Sequence, residues 1–97
     1  MHCAYCKRKL YGKGTIEHFY PLVMGGPNRV WNRIIVCKRC NHTKGGHMPE
    51  VFVQILEKKL LRAQAASDYA EDLRDMIKSI QSLIQEKQDY FKIKELL

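Results

Sequence analysis

Cys3-Ala4-Tyr5-Cys6 opens the chain, Cys37-Lys38-Arg39-Cys40-Asn41-His42-Thr43-Lys44 answers it, and the segment between them carries Glu17-His18 and Trp31-Asn32. Two Cys-x-x-Cys knuckles offer four thiolates at the spacing of a tetrahedral zinc site. A chain of 97 residues often lacks the core to fold alone and needs a staple. All four cysteines lie in the first 40 residues, so the staple belongs to that half. Cys3, Cys6, Cys37 and Cys40 are therefore the expected ligands of a structural Zn2+.

No apolar run is long enough to span a bilayer. The N-terminus has Lys7, Arg8 and Lys9 where a signal peptide would need an apolar stretch. The chain reads as cytoplasmic, a setting in which paired Cys-x-x-Cys motifs favour metal over disulfides.

Charge is divided by region. Residues 1–49 hold nine Lys/Arg against Glu17 alone, whereas residues 50–97 hold eight Lys/Arg against nine Asp/Glu. Four zinc-bound thiolates would leave the first half strongly cationic, and a concentrated positive field attracts a polyanion, most often nucleic acid.

Thr15-Ile16-Glu17-His18-Phe19-Tyr20 is rich in β-formers and reads as a first strand, ended by Pro21. Gly25-Gly26-Pro27-Asn28 is a dense turn cluster. Arg33-Ile34-Ile35-Val36 reads as a second strand, so the two form a wide hairpin. The second knuckle is expected to begin a helix that Gly45-Gly46 stop, and Pro49 suits the first turn of the next. From there to Leu97 the chain contains no glycine and no further proline. Ala66, Tyr69, Leu73, Met76, Ile80 and Leu83 form an apolar stripe of period 3.5. A second stripe (Ala70, Leu73, Ile77, Ile80, Ile84) overlaps it, and Lys87 interrupts both. Ser67-Asp68 could cap a returning helix, or one helix could run on. Packing within the chain is the default way to cover so broad a face. A homodimer or a protein partner on the helical tail is the alternative.

In order and interval, Cys3-x-x-Cys6, Thr15-Ile16-Glu17-His18, Pro21, Gly25-Gly26, Trp31-Asn32, Cys37-x-x-Cys40-Asn41 and Lys44-Gly45 resemble the HNH endonucleases, the ββα-metal nucleases. The likeness covers about residues 3–49 and is of the His-Asn-Asn kind, with Glu17 where the family usually has aspartate. It implies hydrolysis of phosphodiester bonds, DNA ahead of RNA, leaving 5′-phosphate and 3′-hydroxyl ends.

The chemistry of such a cut suits the residues present. A phosphodiester repels nucleophiles and has a poor alkoxide leaving group. An imidazole, with an ordinary pKa of about 6.5, can take a proton from attacking water near neutral pH, and His18 is the candidate base. A hard divalent ion, Mg2+ or Mn2+, takes oxygen ligands; Glu17 and the side-chain carbonyl of Asn41 are the candidates. By the same resemblance Asn32 braces the wide loop and orients His18. Arg33, Lys38, Arg39 and Lys44 are expected to contact backbone phosphates without reading sequence. Ideal strand geometry sends Glu17 and His18 to opposite faces.

The expected architecture is α+β: a zinc-stapled ββα domain at residues 1–48, then an α-helical extension at 49–97, as one long helix or a hairpin. The expected function is a metal-dependent endonuclease. Its rival is a non-catalytic zinc module that binds nucleic acid or protein.

Overall fold

The computed structural model describes residues 1–96, with side chains described through residue 90. Strand β1 (Thr15–His18) pairs antiparallel with β2 (Arg33–Val36), with Thr15 opposite Val36 and His18 opposite Arg33. Helix α1 (Lys38–Lys44) follows directly, then α2 (Pro49–Arg62) and α3 (Asp68–Leu96). This is the ββα unit and helical extension that the sequence implies. The first strand ends two residues early, because the amide of Tyr20 turns to the Asn32 side chain.

The open choice in the tail resolves as a hairpin. Ser67 Oγ accepts from the Ala70 amide at 3.1 Å and caps the start of α3. Ala66 therefore lies in the connection, outside the helix, and Tyr69 is half exposed. The second stripe packs along its length, with Ala70, Leu73, Ile77 and Ile80 buried and Ile84 partly so, and of the first stripe Leu73, Met76, Ile80 and Leu83 pack as well.

Lys87 does not interrupt that stripe. It is 8 % exposed, donates to the Trp31 carbonyl and lies 6.0 Å from the Phe19 ring centroid. A long aliphatic stem can lie along apolar surface while its ammonium finds a carbonyl. Trp31 stacks on Tyr90 at 5.4 Å, so α3 reaches back to the loop that precedes β2.

One core serves both halves. Cys3, Tyr5, Phe19 and Val36 pack with Phe52, Leu56, Leu73 and Ile80 in a single cluster. Tyr5 meets the Phe52 ring edge-on at 5.2 Å, and Phe19 meets Tyr20 at 5.1 Å. Such aromatic pairs add about 0.5–1.5 kcal/mol each beyond the area they bury. Among the described residues no helix is long and apolar enough to cross a membrane.

Candidate nuclease site and its zinc clasp

The four sulfurs of Cys3, Cys6, Cys37 and Cys40 lie within 4.8 Å of one another. Cys6 and Cys37 are 3.9 Å apart, close to the ~3.8 Å edge of a tetrahedron with Zn–S bonds of ~2.3 Å. All four are free thiols. The Tyr5 amide points at Cys3 Sγ and the Cys40 amide at Cys37 Sγ, each at 3.4 Å. These donors favour the thiolate form that zinc requires. Although burial opposes it, neighbouring amides lower the Cys3 thiol to about 7; burial pushes Cys40 upward. The donor set fits one zinc. Because the metal displaces protons from the thiols, its affinity falls as pH falls.

β1 carries the strand alternation that the sequence implies. Glu17 and Phe19 face inward and are buried, Ile16 is exposed, and His18 is half-buried on the outer side. Glu17 Oε2 accepts from the Tyr5 hydroxyl at 2.6 Å, and Oε1 lies 3.3 Å from Lys44 Nζ. Burial raises the Glu17 carboxyl and lowers the Lys44 ammonium, and each partner opposes the other's shift. Lys44 is completely buried. It therefore does not sit on the surface where a backbone phosphate would meet it, and its expected phosphate contact is replaced by this internal pair. A glutamate on the inward face of a strand requires a buried cation or donor. That demand implies a buried partner for Glu17 without saying which residue supplies it.

His18 and Asn41 line one open cleft of about 260 Å3, together with Ile16, Glu17, Pro21, Leu22, Val23 and Gly45. His18 Nε2 lies 2.9 Å from Asn28 Oδ1. Asn32 is fully buried; its Oδ1 accepts from the Tyr20 amide, and its Nδ2 donates to the carbonyls of Tyr20 and Pro27, at 2.8–2.9 Å. Asn32 thus ties the two ends of the wide loop together. Gly26 permits the crossing, since a Cβ there would lie 1.8 Å from the Tyr20 carbonyl oxygen. Replacing Asn32 by alanine orphans buried backbone groups at both ends of the loop. Asn32→Ala is expected to lower stability by about 3 kcal/mol or more, read as a shift in the urea midpoint; an unmoved midpoint contradicts the bracing role.

Of the other cations, Arg33 is exposed and paired across the sheet from His18. Lys38 is exposed on α1. Arg39 instead lines a separate cleft of about 760 Å3 between the knuckles and the helical hairpin.

A family model of the HNH endonucleases matches residues 3–57, more than half of the chain. The chain belongs to the HNH endonuclease family. No curated protein and no solved structure matches it. The match spans both knuckles, the hairpin and α1, and it runs into α2, whose Phe52 packs on Tyr5. Nuclease activity is the general function of that HNH family.

The side chains at the cleft would hold a divalent ion unevenly. Asn41 lines the cleft and carries a carboxamide. Glu17 Oε1 is buried and makes no hydrogen bond, but it faces Lys44 rather than the opening. As the side chain stands, Glu17 does not present a free oxygen to an ion in the cleft.

Proposed function

We propose that this HNH protein is a metal-dependent endonuclease acting on DNA, with His18 as general base. The observation that carries this reading is the convergence of His18 and Asn41 on one open cleft. With Nε2 occupied by Asn28, Nδ1 is the nitrogen that takes a proton from water as the water attacks phosphorus. The 3′-oxygen leaves and the 5′-phosphate stays with the downstream strand. Mg2+ or Mn2+, when bound, supplies neutralisation of the phosphate and of the departing oxygen. Asn41 would hold such an ion through its side-chain carbonyl, and Glu17 would join it only on leaving Lys44. Arg33 and Lys38, with Arg39 more distantly, supply cations for the flanking phosphates.

The inward turn of Glu17 favours the second reading, a zinc-stapled module that binds without cutting. Plasmid nicking in Mg2+ or Mn2+ separates the two. The parent is expected to nick, and His18→Ala to lose about 100-fold or more in rate while retaining zinc and DNA binding. Equal behaviour of the two proteins supports the binding module.

A further inference from the structure

The geometry assigns Asn28 the task of holding the His18 ring, a positioning role that rests on reading His18 as the base. Asn28 Oδ1 receives two approaches, from His18 Nε2 at 2.9 Å and from Arg33 Nη2 at 3.1 Å. A guanidinium can only donate. The Asn28 atom facing it must therefore be the carbonyl oxygen, since the amide nitrogen would set donor against donor. An oxygen acceptor in turn requires His18 Nε2 to carry the hydrogen. The second ring nitrogen, Nδ1, is left with its lone pair, and one contact sets both the orientation of the ring and the identity of its basic atom.

The position of Asn28 is itself fixed. On one side, the Pro27 carbonyl accepts from buried Asn32 at 2.8 Å; on the other, the Arg29 carbonyl accepts from the Asn32 amide at 3.0 Å. Pro27 restricts the backbone at the first of these anchors. His18 and Arg33 are cross-strand partners, so the register of the sheet brings both donors to the same oxygen. Asn32 thereby acts on His18 through the loop, and the side chain that touches the ring is Asn28. Asn28 is exposed, so its replacement leaves the core intact.

The test compares the zinc-loaded full chain with Asn28→Leu, which removes the acceptor, and Asn28→Asp, which keeps it. Proton–nitrogen NMR of the imidazoles, assigned with His18→Ala, is recorded without DNA or divalent ion. The parent and Asn28→Asp are expected to show a protected hydrogen on His18 Nε2, and Asn28→Leu to lose it to exchange. In nicking assays Asn28→Leu is expected to lower kcat about tenfold with KM and melting temperature unchanged, and Asn28→Asp to restore it. A hydrogen on Nδ1, no protected hydrogen in the parent, or equal protection in Asn28→Leu overturns the assignment. The NMR needs no cutting, so failure of the Asn28 contact and failure of the nuclease reading, shown by an inactive parent, are told apart.

Discussion

Cys37→Ser is expected to abolish the cooperative fold of the first half of the chain. Structural zinc contributes about 10–16 kcal/mol in small zinc-dependent folds, comparable to or above the ~5–15 kcal/mol that holds a whole domain together. Cys37 also accepts from the Cys40 amide at the start of α1. The loss should spread, because Cys3 and Cys40 belong to the same core cluster as Phe52 and Ile80. Zinc content should fall and the circular dichroism melt should broaden and shift to low temperature, as it should in the parent after chelation. A variant that keeps full zinc and the parental melt contradicts the clasp.

Lys44→Met should be strongly destabilising. It leaves the Glu17 carboxylate buried with only the Tyr5 hydroxyl. Breaking a buried pair in this way costs about 3–5 kcal/mol, whereas removing both charges is often close to neutral. The double variant Glu17→Gln/Lys44→Met should therefore recover most of the loss in a urea titration. Because Lys44 is buried, the folded variant should keep the parental salt dependence of DNA binding, while Arg33→Ala should flatten the slope by about one. A double variant no more stable than Lys44→Met would remove the ion pair as the cause.

The fold was legible because its signals are local or repetitive. Knuckle spacing marked the zinc site, β-rich runs marked both strands, and Gly45 and Pro49 punctuated the helices. His18 and Asn41 were legible as residues, and the hairpin and α1 bring them to one cleft. Contacts across large sequence distances were not legible. Nothing near Lys87 reveals that the Trp31 carbonyl awaits it, and nothing in Asn28 reveals that His18 and Arg33 converge on its oxygen. Lys44 misled for a different reason. Composition counts every lysine as surface charge, but this one follows Asn41 by three positions on α1 and turns inward to Glu17. Strand parity sends that glutamate inward.

Single-turnover cleavage of an end-labelled DNA duplex by the zinc-loaded chain, with rising Mg2+ or Mn2+, puts the shared cleft of His18 and Asn41 to the test. The expected result is strand scission leaving 5′-phosphate and 3′-hydroxyl termini, lost in His18→Ala and requiring more divalent ion in Asn41→Ala. Absence of scission by the parent, or His18→Ala cutting at the parental rate, would contradict it.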